Sequence, residues 1–416
     1  MFCEVTKNQN FFQGLSPIDL VKKYGSPLYV YSENLLRKRC MDIKNLVRYD
    51  KFNVHYSVKA NSNIELLKII HSEGLFADAM SPGEIFVELK AGFKPSEILF
   101  ICNNVSKKEM EYALNKGVKV SVDSLSQLEM FGKINRGGEV FVRFNPGIGA
   151  GHSEKVITGG KKTKFGIEIK SIENVKKLLK KYNLKLIGLN QHLGSQFLSW
   201  FEYINAMNAI LNVAKHFEDI RIIDLGGGFG VPYHKQENAH RLDLSELGSQ
   251  MNKSFEQWIK SYGKRVEFRV EPGRYIVAEA GILLGTVHTK KENDYKKYIG
   301  TDIGFNVMMR KVLYDAHHDV EIYRNSVVDS TKKEMVMIVG NICESGDIIA
   351  TERILPIIEE GDILGVLDTG AYGYCMSSNY NNRLRPAEVL IDSNGNDRLI
   401  RRRETFQDLL LSLVES

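Results

Sequence analysis

A lysine closing an apolar run is the first residue in this sequence to offer chemistry. Lys59 follows Phe52-Asn53-Val54-His55-Tyr56-Ser57-Val58, so a strand over that run would deliver its amine to the strand's C-terminal end. Desolvation favours the neutral amine, a nucleophile able to form a Schiff base. The bland alternative is a surface lysine. Further along, Leu225-Gly226-Gly227-Gly228-Phe229-Gly230 offers backbone N–H groups with no side chains in the way, and Glu271-Pro272-Gly273-Arg274 sets a carboxylate, a glycine and a guanidinium side by side. Glycine backbone and arginine suit a phosphate. The glycine run lacks the GxGxxG spacing of a dinucleotide loop, and taken alone a tight turn explains it about as well. A nucleophilic lysine and an anion site on one rim jointly suggest pyridoxal phosphate, whose aldehyde needs the amine and whose tail needs the anion site. Glu271 then supplies a carboxylate to keep the pyridine nitrogen protonated. His192 fits either a ring stacked on that cofactor or a satisfied core histidine.

The elements that must position these residues follow from periodicity. Eight short apolar runs, Phe52 to Val58, Leu75 to Asp78, Ile98 to Cys102, Val118 to Val122, Glu139 to Phe144, Lys185 to Gln191, Arg221 to Asp224 and Val266 to Val270, read as strands. Helix-period stretches separate them: Ile64 to Glu73, Lys107 to Lys116, Leu125 to Ile134, Ile172 to Tyr182, Trp200 to Phe217 and Leu244 to Tyr262. Ser62 and Ser106 are candidate caps. Such alternation predicts an α/β fold, a (β/α)₈ TIM-like barrel, with an open doubly wound sheet as runner-up. Barrels carry their active sites at the C-terminal strand ends. There the sequence places Lys59, then Asp78 and Ser81, Arg143 and Asn145, His192 and Ser195, the glycine run, and Glu271 to Arg274.

After Glu271 the texture turns β-rich: Gly281 to His288, Glu334 to Val339, Ile363 to Leu367, Glu388 to Ile391 and Arg398 to Arg401, with Ser393-Asn394-Gly395-Asn396 as a hairpin turn. An all-β C-terminal domain is expected. Ser16 and Pro17 open a short helix that Gly25 ends, and Leu28-Tyr29-Val30-Tyr31 reads as an N-terminal strand contributing to the β domain. The expected division is 1–32 packing with the β domain, 33–275 for the barrel and 276–416 for the β domain.

The chain's 416 residues are 43% apolar and 26% charged, which excludes a disordered or fibrous protein. A net charge of +5 over this length argues for neither a nucleic-acid nor a membrane partner. Arg401, Arg402 and Arg403 read as a solvated strand end. Cys3, Cys40, Cys102, Cys343 and Cys375 are odd in number and never spaced as CxxC, against a disulfide framework or a zinc site, so no metal is expected and a reducing cytoplasm fits best. The N-terminus lacks signal-peptide character, and no apolar stretch approaches a membrane span. The tail Leu409-Leu410-Leu411-Ser412-Leu413-Val414 is expected to dock on the core.

The set Tyr56-Ser57-Val58-Lys59-Ala60-Asn61, His192-Leu193-Gly194-Ser195-Gln196, Gly226-Gly227-Gly228, Glu271-Pro272-Gly273-Arg274, Cys343-Glu344-Ser345-Gly346-Asp347 and Gly370-Ala371-Tyr372-Gly373 resembles the alanine-racemase-fold pyridoxal phosphate decarboxylases. The likeness is greatest to the branch acting on meso-diaminopimelate, and runs in order from about residue 15 to residue 405. It implies a (β/α)₈ barrel, a β domain and a homodimer whose active sites are shared between subunits, converting meso-diaminopimelate to L-lysine and CO₂ in the last step of lysine biosynthesis. By the same resemblance, Lys59 holds the cofactor covalently and His192 stacks on its ring. Gly227, Gly228, Gly273, Arg274, Ser195 and Tyr372 line the phosphate. Cys343 comes from the partner subunit as proton donor. Arg274, Arg310 and Tyr314 hold the distal carboxylate, Glu344 pairs with the distal amine, and Tyr372 also borders the substrate.

Cys343 is otherwise a small buried hydrophobe, but the polar Glu344-Ser345-Gly346-Asp347 after it argues for an exposed loop. Arg310 is otherwise a surface charge. Leu384, where the family commonly has proline, and Pro82, where many members have glycine, depart from the pattern, and neither is expected to touch a catalytic group. Ornithine- or arginine-type decarboxylases, a racemase and a non-catalytic pyridoxal phosphate-binding homologue are the rival readings. The first act on substrates lacking the distal carboxylate that Arg310 would meet, and a racemase would use a tyrosine base in place of a Cys-Glu-Ser loop.

Overall fold

The computed structural model describes residues 4–145, 147, 150–151, 160 and 163–414; Cys3 lies outside them. The chain divides into two compact units, one of Arg37–Val231 with His240–Ile276, the other of 1–36, Pro232–Ala239 and 277–416.

The first unit is the barrel. Its strands are Phe52–Ser57, Phe76–Ala79, Ile98–Ile101, Lys119–Val122, Glu139–Asn145, Lys185–Asn190, Ile222–Asp224 and Glu267–Val270. Each pairs in parallel with the next. The eighth pairs with the first, Phe268 opposite Phe52, which closes the sheet and excludes the open alternative. Leu99, Ile101, Phe141, Ile187 and Ile222, from four different strands, form one buried cluster. Removing each such side chain from water contributes about 1.5–3 kcal/mol.

Helices cross between strands where the periodicity places them, with Ser106 and Glu109 forming a reciprocal capping box on Lys107–Asn115. The cap on Ile64–Ser72 is Asn63, whose side chain accepts from the Glu65 N–H, in place of Ser62. The eighth strand is followed only by the helical turn Arg274–Val277. The missing helix comes from before the first strand: in Glu33–Lys44, Arg37 pairs with Glu73, and Asp42 accepts from the Tyr275 hydroxyl at 3.2 Å. Just beyond it, the Arg48 N–H donates to Asn252 of the long helix Leu244–Tyr262 at 3.1 Å. The segment therefore stands between the helices of the first and seventh strands.

In the second unit the N-terminal strand Leu28–Ser32, buried throughout, runs antiparallel to Gly281–Glu292 and parallel to Ala387–Ile391, as expected. The sheet continues through Lys297–Thr301, Lys333–Val339 and Ile348–Pro356 on one side and Asp397–Arg401 on the other, while Ile363–Val366 joins Gly281–Glu292 to Val320–Tyr323. Lys297–Thr301, Val320–Tyr323 and Ile348–Pro356 are not evident in the sequence. The last has Thr351 and Glu352 exposed at its centre, which breaks the apolar alternation. The hairpin turn forms as expected, with Gly395 N–H donating to the Asp392 carbonyl at 3.0 Å.

The arginine run does close a strand, Asp397–Arg401, with Arg402 exposed, but its members are paired as well as solvated: Arg401 with the fully buried Glu388, Arg402 with Asp408, and Arg403 donates to the Pro27 carbonyl. Each guanidinium meets a different acceptor because the chain leaves the sheet there. One expectation is corrected: the tail does not dock, since Leu410, Leu411, Leu413 and Val414 are all exposed. The turn before it is fixed by polar bonds from Thr405 and Arg402 to Asp408 and needs no apolar burial.

Candidate active site

Six barrel strands bring polar groups to their C-terminal ends, and these meet. The first strand ends in the turn Val58–Ala60, which carries the half-buried Lys59. Just before it, Ser57 Oγ donates to Asp78 Oδ2 at 2.8 Å. Asp78, at the end of the second strand, is buried, and burial pushes its pKa up to about 7 against the opposing Lys59 charge and the Ser57 hydrogen bond. Glu271, after the eighth strand, is 3% exposed. Asn190 Nδ2 donates to its Oε1 at 3.1 Å, and His192 Nδ1 lies 3.9 Å from its Oε2. Burial, then the nearby Asp224 and Asp78 charges, raise its pKa far above the carboxylate range, while Lys59 and Arg143 oppose. Asp224, at the end of the seventh strand, accepts from the Gly226 N–H at 3.0 Å and is raised by burial to about 6.

His192 accepts a hydrogen bond at Nδ1 from the Gly227 N–H at 3.1 Å. Burial first, then the Lys59 and Arg143 charges, hold its pKa well below the usual value, so it is a neutral ring at pH 7. The glycine loop owes its composition to close approach. A Cβ on Gly227 would lie 1.9 Å from the Glu271 carbonyl oxygen, and one on Gly228, at φ +103°, 2.5 Å from the Gly194 oxygen. Facing it, Arg274 Nη2 donates to Ser195 Oγ at 2.9 Å, and a Cβ on Gly273 would come within 2.9 Å of Ser57. The barrel thus assembles Lys59, His192, Ser195, Gly227, Gly228, Glu271, Gly273 and Arg274 on one rim.

This donor set fits pyridoxal phosphate. Lys59 supplies the amine, the loops of Gly227, Gly228, Gly273, Arg274 and Ser195 supply a cradle that side chains would fill, and Glu271 supplies a carboxyl whose high proton affinity suits a basic ring nitrogen. Sequence reasoning passed over Ser57, Asn190 and Asp224. Asp224 had a signal, a charge inside Ile222-Ile223-Asp224-Leu225.

In the β unit the expected residues fall on separate segments. Cys343 is exposed, on the loop after Lys333–Val339, with its N–H donating to Asn381 Oδ1 at 2.9 Å. Asp347 fixes that loop by accepting from the N–H groups of Ile342 and Phe305, each at 2.7 Å. Cys343 and Leu384 both line a cleft of about 780 Å³. Glu344 is exposed and accepts from the Tyr380 hydroxyl at 2.5 Å. Arg310, on the short helix Arg310–Tyr314, is no surface charge: it is 1% exposed and donates to His318 Nε2 at 2.8 Å. Tyr314 closes that helix half-buried, and Tyr372 is half-buried at φ +57°.

Residues 33–278 match the family described as pyridoxal-dependent decarboxylase, pyridoxal binding domain. Over 409 residues the chain is 39% identical to a diaminopimelate decarboxylase of Methanothermobacter thermautotrophicus, covering 95% of this chain and 94% of that one. The chain belongs to the diaminopimelate decarboxylase family. A member from Escherichia coli is 33% identical over 407 residues, covering 94% of each chain. The crystal structure of diaminopimelate decarboxylase from Helicobacter pylori complexed with L-lysine superposes with a TM-score of 0.86 at 31% identity, over 94% of this chain and 98% of that one.

Proposed function

We propose the following reaction for this chain. The protein is a pyridoxal phosphate-dependent carboxy-lyase that converts meso-2,6-diaminopimelate to L-lysine and CO₂. The observation that carries this is the meeting of Lys59, His192, Glu271 and the glycine–arginine cradle on one rim, in a chain alike over nearly its full length to diaminopimelate decarboxylases.

When bound, pyridoxal phosphate accepts the electron pair left as CO₂ departs. Lys59 would hold the cofactor covalently through its amine. Gly227, Gly228, Gly273, Arg274, Ser195 and Tyr372 would hold its phosphate, and the neutral His192 would pack on its ring. Glu271 would share a proton with the ring nitrogen. Cys343 of the partner subunit returns a proton to the alpha carbon. Arg274, Arg310 and Tyr314 meet the distal carboxylate, Glu344 the distal amine, and Tyr372 borders the substrate. An arginine suits a carboxylate because its planar fork binds bidentately.

This reading makes the protein a homodimer with shared sites, acting in the cytoplasm, with 33–275 as the cofactor-binding barrel and 1–32 and 276–416 as the β portion. No helix among the described residues is long and apolar enough to cross a membrane. Product analysis tests the reaction. The holoenzyme should form equimolar CO₂ and L-lysine from meso-diaminopimelate, whereas stereochemical inversion without CO₂ release would make it a racemase.

A further inference from the structure

Arg310 is held by two groups that the sequence does not single out. Its Nη1 donates to His318 Nε2 at 2.8 Å, and its guanidinium carbon stands 4.6 Å from the centre of the Tyr233 ring. His318 Nδ1 lies 2.6 Å from the Leu367 carbonyl oxygen. A carbonyl only accepts, so Nδ1 carries the proton, and Nε2 offers its lone pair to the guanidinium. The imidazole is therefore neutral. Tyr233 meets His318 edge to face, with ring centres 5.0 Å apart. Each of the three side chains limits where the other two can go.

Tyr233 arrives on Pro232–Ala239, the segment that groups with the β unit. Its neighbours pin it there. Lys235 Nζ is 2.9 Å from Glu279 Oε1 and 2.5 Å from Asp368 Oδ1, with both carboxylates almost wholly buried. The Gln236 N–H donates to Asp319 Oδ2 at 2.9 Å, and its side-chain amide to the Val320 carbonyl at 3.0 Å. These anchors adjoin the residues that matter: Asp319 follows His318, and Asp368 follows Leu367. One short segment thus fixes the aromatic face, the imidazole and the carbonyl that orients the imidazole.

The chemistry of the holders is informative. A carboxylate in place of His318 would hold Arg310 equally well but would neutralise it and compete with an anionic ligand. A neutral imidazole and an aromatic face hold the guanidinium and add no negative charge. A long side chain placed in advance also loses less freedom when its ligand binds.

We propose that His318 and Tyr233 are positioning residues that preset Arg310 for the distal carboxylate and so share in setting substrate preference. This rests on the reading of Arg310 given above. The test uses holoenzyme variants His318→Phe, His318→Gln, which keeps an acceptor, and Tyr233→Leu, with Arg310→Ala in parallel. KM and kcat for meso-diaminopimelate, melting temperature and the cofactor absorbance band are measured for each.

His318→Phe and Tyr233→Leu should each raise KM about tenfold or more with kcat within about threefold of wild type. His318→Gln should recover most of the loss, and His318→Phe should add nothing in an Arg310→Ala background. Unchanged KM in His318→Phe and Tyr233→Leu, while Arg310→Ala raises it, overturns the positioning role alone. An unchanged KM in Arg310→Ala overturns the Arg310 reading and this inference with it. If His318→Phe loses its melting transition, Tyr233→Leu and His318→Gln carry the same test.

Discussion

The backbone N–H of Gly227 donates to Nδ1 of His192 across 3.1 Å, tying the loop after the seventh barrel strand to the loop after the sixth. The bond takes the lone pair of Nδ1, so the proton of the neutral ring sits on Nε2. It also fixes the plane of the imidazole beside Glu271, 3.9 Å away.

Substituting Gly227 should disturb this arrangement. An alanine Cβ would lie 1.9 Å from the Glu271 carbonyl oxygen, forcing the loop after the seventh strand away from the one after the eighth. Gly227→Ala should weaken pyridoxal phosphate binding about tenfold or more, ~1.4 kcal/mol, in an absorbance titration of cofactor-free protein. Wild-type affinity in a folded Gly227→Ala variant would show that the loop does not bear on the cofactor.

Lys59 should be the site of covalent attachment. Borohydride reduction of the holoenzyme followed by peptide mapping should place the pyridoxyl group on Lys59, and Lys59→Ala should carry none. A label on another lysine would contradict the assignment.

Asp78 makes a prediction about pH. Burial raises it to about 7 in the folded chain, whereas an unfolded aspartate titrates near 3.9. Below about pH 4 both states are protonated and the group costs nothing. As pH rises, the unfolded state loses its proton first, and stability falls until the folded group also ionises. Asp78→Asn cannot ionise, so in cofactor-free protein its melting temperature should gain on wild type between about pH 4 and pH 8. A difference that stays constant over that range would contradict the buried-acid account.

Much of this was legible because barrel strands are buried on both faces and so read as continuous apolar runs. The residues closing those runs, Lys59, Asp78, His192 and Glu271, could be placed on one rim for the same reason. Illegible were contacts set by register between strands distant in sequence. Asn190 reaches Glu271 only because the sixth, seventh and eighth strands pair in one stagger. The seat of Arg310 needs Tyr233, carried into the β unit from a stretch flanked on both sides by barrel sequence. Arg401, Arg402 and Arg403 look alike in sequence, and only the fold assigns each a separate partner.

The shared-site reading predicts complementation. Lys59→Ala and Cys343→Ala proteins should each be inactive as homodimers, and mixing them under conditions of subunit exchange should restore activity in hybrids, where one of the two sites is intact. No recovery despite verified exchange would place each site within one chain.

The central claim is the choice of substrate, and steady-state CO₂ release from meso-diaminopimelate, L-lysine, L-ornithine and L-arginine, measured side by side on one holoenzyme preparation, tests it most directly. A site built around paired polar groups rejects analogues lacking one of them by roughly 10⁴. The account predicts efficient turnover of meso-diaminopimelate and a kcat/KM for the other three lower by about that factor. Preference for ornithine, arginine or lysine would contradict it.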